Sequence, residues 1–160
     1  MKTKTNHIFI IILIALADQI TKYLILIHIP LHTQKTIIKG FFNITHIRND
    51  GAVWGLLSHT GNGLIPKIIT ILSLVSFIII IYFFFKTPKK CKLELISLSF
   101  IMGGAIGNIM DRIFRGYVID FLDFYIKRWH WANFNIADSF ISIGVVLLII
   151  SIWRNKCYQS

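Results

Sequence analysis

The chain has 160 residues, 55% of them hydrophobic and 15% charged, with a mean hydropathy of +0.68 and a formal net charge of +10. A soluble domain carries about 25% charged residues, so this chain has too little polar sequence to cover a core in water. The positive charge does not point to nucleic acid. Eight of the 17 basic residues fall in three short segments: Lys2 and Lys4; Lys86, Lys89, Lys90 and Lys92; Arg154 and Lys156.

The apolar residues form four blocks, at 8–29, 64–85, 93–110 and 136–153. Each has the roughly 17–25 residues that cross a hydrocarbon layer as a helix. The expectation is one integral membrane domain over 1–160: an all-α fold of four transmembrane helices, with a small outward-facing β-rich element between the first two. If every block spans, the three lysine- and arginine-dense segments share one side. The positive-inside rule then puts both termini in the cytoplasm and the connections 30–63 and 111–135 on the outer face. The basic excess is read as topology and contact with anionic membrane lipid, with no nucleic-acid partner.

In the first block, Lys2 and Lys4 followed by Ile8–Leu16 and Ala15-Leu16-Ala17 imitate a cleavable leader. Hydrophobicity resumes and runs to Ile29, so an uncleaved first span is expected. Asp18 and Lys22 are four apart and share a helix face, where they can pair inside the bundle. They read as a support that locks the helices together. In the first outer connection, the alternation around Gly40-Phe41-Phe42-Asn43-Ile44-Thr45-His46-Ile47 suggests a strand or hairpin. Asn49-Asp50-Gly51 gives a turn, and Gly61-Asn62-Gly63 punctuates the entry to the second block. That second block is nearly free of polar residues apart from Lys67 near its outer end. Pro88 closes the cytoplasmic loop. Cys91 and Cys157, both on the expected cytoplasmic side, read as plain thiols, since disulfides are rare there.

The third block reads Met102-Gly103-Gly104-Ala105-Ile106-Gly107-Asn108-Ile109-Met110-Asp111-Arg112. Gly103 and Gly107 make a small-xxx-small step that lets a partner helix approach. Asn108 and Arg112 are i,i+4 with Asp111 beside them, so an amide, a carboxylate and a guanidinium gather at the outer end. They form either a clamp for peptide carbonyls or an Asp111–Arg112 charge cluster. In the second outer connection Asp120 reads as a loop aspartate near the interface. Asp138 opens the fourth block, where Asn135-x-x-Asp138 has the spacing of a helix cap with an acid in the first turn. Read singly, both aspartates are ordinary. Together, in a chain with only seven acidic residues, they can form a carboxylate pair. Two close carboxyls do not both ionise cheaply in a low-dielectric site, so one keeps its proton while the other activates water. No H-E-x-x-H, no G-x-S-x-G and no metal-ligand spacing among the six histidines occurs, so neither metal nor cofactor is expected.

Five segments in order resemble one family: Asp18-Gln19-x-x-Lys22, Asn49-x-Gly51-Ala52-x-Trp54-Gly55, Gly103-Gly104-x-x-Gly107-Asn108-x-x-Asp111-Arg112, Val118-x-Asp120-Phe121 and Phe134-Asn135-x-Ala137-Asp138. The chain resembles the lipoprotein signal peptidases, the type II signal peptidases of bacteria, from Asp18 to Asp138. The resemblance implies an intramembrane aspartic endopeptidase of the bacterial inner membrane, with its site on the periplasmic face. It would remove signal peptides from diacylglyceryl-modified prolipoproteins by cutting before the lipidated cysteine. The family's catalytic aspartates fall on Asp120 and Asp138, and its peptide-contacting residues on Asn108 and Arg112. Asn49 and Asn135 fall on support positions and are grouped with that substrate-binding pair. Asp18, Lys22 and Asp111 fall on structural support. A monomer that binds globomycin-type inhibitors is implied as well. The competing expectation is a small non-enzymatic transporter or assembly subunit that uses its polar residues as a path or as helix caps.

Overall fold

The computed structural model describes residues 2–51 and 64–154. Ala52, Trp54, Gly55, the Gly61-Asn62-Gly63 punctuation, Lys156 and Cys157 lie outside these. Four helices are long and apolar enough to cross a membrane: α1 (Lys2–His28), α2 (Leu64–Lys86), α3 (Lys92–Arg115) and α4 (Ile136–Arg154). The expected third span is lengthened at its outer end. α3 runs on to Arg115 and stops where Gly116 takes φ 81° and returns its N–H to the carbonyl of Arg112, a left-handed stop that glycine adopts without strain.

The β-rich element expected after the first span is present as β1 (Gln34–Ile38) and β2 (Phe42–Asn49). The second outer connection adds β3 (Val118–Ile126) and β4 (Trp129–His130), giving one antiparallel order β1-β2-β3-β4. Asp120 therefore stands in a strand and not in a loop. It faces Ile47 across the β2–β3 pair, while Asn49 faces Val118. Ile25 of α1 packs with Ile119 and Phe121 of β3, which seats the sheet on the end of the bundle.

Helix α3 is the axis of the bundle, 67% buried over its apolar window against 6% for α2. Glycines set its close approaches. A Cβ at Gly103 would meet Ile14 of α1, one at Gly107 would overlap the Asp18 carboxylate, and one at Gly104 would overlap the backbone of Ala137 in α4. The room at Gly103, Gly104 and Gly107 is thus taken by neighbouring helices. The backbone of α2 neighbours that of α3 alone among the described elements, so a groove opens between α2, α3 and α4. At the other end of the bundle Cys91 is disulfide-bonded, where a plain thiol was expected.

Candidate active site

A cluster of buried polar residues gathers at the sheet-bearing end of the apolar bundle, tied by hydrogen bonds and ion pairs. Lys22 and Asp18 pair at 2.7 Å from successive turns of α1, both at 0% side-chain exposure. The same ammonium reaches Asp111 at 2.8 Å and the Asn108 Oδ1 at 2.9 Å on α3. Its three N–H groups thus have three acceptors. The second oxygen of Asp18 accepts the Ala137 N–H at 2.9 Å, satisfying one of the free amides at the start of α4. Asp111 also pairs with Arg115, one turn on, and accepts from Gln19 at 3.1 Å and from the Ile119 N–H at 3.2 Å.

The alternative in which Asp111 pairs with Arg112 is not the one adopted. Adjacent residues on a helix point about 100° apart, so Asp111 faces α1 while Arg112 lines the groove. Gln19 and Arg115 carried no role in the sequence reading, yet they bond each other at 3.0 Å and jointly close off Asp111. The i,i+4 spacing of Asp111 and Arg115 was the available signal.

The two aspartates of interest meet through asparagines. Asp120 is 2% exposed. One of its oxygens accepts from the Asn49 amide at 2.9 Å and the other from Asn135 at 2.8 Å. One oxygen of Asp138 accepts from the Asn108 amide at 2.7 Å, and the other from the Asn135 backbone N–H at 3.3 Å. Asn135 is therefore shared by both carboxyl groups. It also caps α4, because its Oδ1 accepts the Asp138 N–H at 2.9 Å, the reciprocal pattern of a capping box.

Burial pushes the Asp120 carboxyl up from 3.8 to about 6, with the nearby Asp138 adding to the rise and the Asn49 and Asn135 donors opposing it. Desolvation disfavours the charged form more than two amide hydrogen bonds favour it. A carboxyl poised there can hold a proton near neutral pH and release it.

Asp138, Asn108 and Arg112 line the groove between α2, α3 and α4, a cavity of about 400 Å³ that continues past Phe77 to Ile80. Ser73 and Ser76 of α2 also face it, polar residues beyond Lys67 in a helix expected to be nearly free of them. Arg112 makes one long hydrogen bond among the described residues, 3.5 Å to the Asn108 carbonyl, and its remaining N–H groups can serve a bound group. Among the described residues no set of three or more His, Cys, Asp or Glu side chains could hold a metal ion. All nine site residues inferred from the sequence stand at this one end of the bundle. Asp120, Asp138, Asn49, Asn108 and Asn135 form one hydrogen-bonded set, and Asp18, Lys22 and Asp111 back it through Asn108.

Fold and site together define a four-span membrane protein with two carboxyl groups, linked through Asn135, at one end of a groove between helices. The comparisons make this specific. A family model for signal peptidase II matches residues 10–154. A lipoprotein signal peptidase of Francisella tularensis subsp. novicida (strain U112) is 44% identical over 149 residues, 93% of this chain and 92% of that protein. One from Syntrophus aciditrophicus (strain SB) is 42% identical over 148 residues, 92% of each chain. A solved bacterial membrane enzyme superposes with a TM-score of 0.82 at 33% identity, covering 98% of this chain and 92% of that one. A second gives 0.81 at 35% identity over 92% of each. The chain belongs to the signal peptidase II family and is a peptidase of bacterial membranes, which replaces the transporter and assembly alternatives.

Proposed function

We propose that Asp120 and Asp138 are the catalytic dyad of an aspartic endopeptidase that cuts diacylglyceryl prolipoproteins immediately before the lipidated cysteine. The observation that carries this reading is the sharing of Asn135 between the two carboxyl groups beside the groove. In the reaction, a water between the carboxyls loses a proton to the ionised one as its oxygen attacks the scissile carbonyl carbon. The protonated carboxyl donates to the carbonyl oxygen, giving a neutral tetrahedral intermediate. Collapse of that intermediate breaks the C–N bond. A dyad proton passes to the departing cysteine amine while a hydroxyl of the intermediate returns its proton to the ionised carboxyl as the new C-terminal carboxyl forms, so the dyad again shares one proton as at the start. Arg112 fits the role of donor to peptide carbonyls, and the apolar length of the groove suits the signal segment.

The gap between α2 and α4 suits a substrate that arrives sideways from the bilayer. The density of lysines at 86–92 supports a cytoplasmic location for that end, with the dyad on the periplasmic face. On this reading the enzyme acts as a monomer, and globomycin-type cyclic peptides compete for the groove. The test uses purified enzyme and a diacylglyceryl prolipoprotein. Asp120→Asn and Asp138→Asn should each abolish cleavage while leaving a folded protein, and chelators and serine-directed reagents should have no effect. Full activity in either variant would sink the dyad.

A further inference from the structure

We infer that Lys22 is a positioning residue for the reaction: it fixes which way round the Asn108 amide sits, and so supplies Asp138 with a hydrogen-bond donor. This rests on the reading of Asp138 as a dyad member. An asparagine amide has two orientations of nearly the same shape, one end accepting and the other donating. Each of the three asparagines at the dyad has something that chooses between them. The Asn49 Oδ1 accepts the Gly51 N–H at 2.8 Å, which turns its NH2 to Asp120. The Asn135 Oδ1 accepts the Asp138 N–H, which turns its NH2 to Asp120 as well. For Asn108 the choice falls to a cation. Its Oδ1 lies 2.9 Å from the Lys22 ammonium, and its NH2 reaches Asp138 at 2.7 Å.

Reversed, the Asn108 amide would aim N–H groups at an ammonium and its oxygen at a carboxyl oxygen, two repulsive contacts in place of two charge-assisted ones. The Asn135 NH2, 3.3 Å from the same Oδ1, adds to the preference. Lys22 itself is held by Asp18 and Asp111 at 0% exposure and does not line the groove. Its direct hydrogen bond toward the dyad runs through Asn108, while its charge also favours the ionised form of Asp120 across space.

The experiment is a double-mutant cycle on cleavage kinetics. Lys22→Met leaves Asp18 uncompensated, so it is made together with Asp18→Asn, which keeps an oxygen for the Ala137 N–H. This pair should lower kcat roughly 10- to 100-fold, the size seen when hydrogen-bond partners of metal ligands are removed in other enzymes, with KM unchanged. In an Asn108→Ala background the same pair should have little further effect. A full additional loss there overturns the inference. Asn108→Asp tests it with Lys22 intact, and stands if the double variant does not fold. Its carboxylate pairs with Lys22 but donates nothing to Asp138, so a well-folded, poorly active enzyme is expected, and wild-type kcat overturns the inference. The dyad itself is judged separately. An active Asp138→Asn removes the underlying reading whatever the cycle gives, whereas an inactive Asp138→Asn with an additive cycle leaves the dyad standing and removes only Lys22.

Discussion

Asn135 and Asp138 bond each other twice. The Asn135 Oδ1 takes the Asp138 N–H at 2.9 Å, and the Asp138 Oδ2 takes the Asn135 N–H at 3.3 Å. The cap that starts α4 is thereby the same set of atoms that aims Asp138, and the Asn135 amide then reaches Asp120 at 2.8 Å. Stability and alignment at this point are not separable by deletion. They are separable by a substitution that keeps one bond and loses the other.

Asn135→Asp is that substitution. Aspartate caps a helix as well as asparagine does, so α4 should start normally. It cannot donate to Asp120, and it adds a third acid beside the dyad. The cap is kept, but the buried acid loses the donations to Asp120 and the Ile119 carbonyl, so some stability is lost while cleavage falls at least tenfold. Asn135→Ala should lose both properties, the cap alone costing about 1 kcal/mol. Wild-type activity in Asn135→Asp would show that the link to Asp120 is idle.

The glycines of α3 give a second contrast. In an open helix Gly→Ala is worth up to about 1 kcal/mol of stability. At Gly107 the new Cβ would overlap the Asp18 carboxylate, which Lys22 and the Ala137 N–H hold in place. The sign should reverse, with Gly107→Ala losing roughly 1–3 kcal/mol through overpacking. Gly116→Ala meets nothing within 4 Å and suffers only from its φ of 81°, a cost of about 1–2 kcal/mol. Both variants should unfold at lower midpoints, and cleavage separates them, since only Gly107→Ala should impair it.

What the sequence makes legible here is local. The Asp18–Lys22 spacing, the Asn135-x-x-Asp138 cap and the four spans all follow from helix geometry, and each appears in the fold. Relations between distant segments were not legible. That Lys22 also serves Asp111 and Asn108 depends on α1 crossing α3 at Gly103 and Gly107, which no spacing within α1 reveals. Asp120 was misplaced in a loop for a related reason. Aspartate is disfavoured in strands, and β3 is called into being by its pairing with β2, 71 residues from Asp120 at Asn49. The exposed aromatics Trp129 and Trp131 suited a membrane boundary equally well as loop or strand, so they did not reveal β4.

Arg112 should contribute to binding more than to folding. With one long hydrogen bond among the described residues, Arg112→Ala is expected to leave the unfolding midpoint nearly unchanged. Its loss from a peptide clamp should raise KM roughly 10- to 100-fold, the value of a hydrogen bond from a charged donor. Arg112→Lys restores charge but not the planar fork, and should recover only part of that affinity. A fall in kcat with KM untouched would instead place Arg112 at the reacting atoms.

The raised Asp120 carboxyl makes both stability and rate depend on pH. Its value of about 6 in the folded chain lies above the 3.8 of the unfolded one, mainly through burial. Between those two pH values the folded state binds more protons than the unfolded state, so unfolding free energy declines as pH rises from about 4 through about 6 and levels off above. The full loss is on the order of 3 kcal/mol. Other carboxyl groups titrate in the same range, so the quantity to measure is the difference between wild type and Asp120→Asn, which has no proton to lose at this position. The stability of wild type relative to the variant should drop between pH 4.5 and 7 in detergent. Activity per folded molecule should fall over the alkaline part of the same range, because a dyad with both carboxyls ionised has no proton to give the scissile carbonyl. A wild-type rate that climbs steadily from pH 6 to 8 would mean that the proton-donating carboxyl is not Asp120.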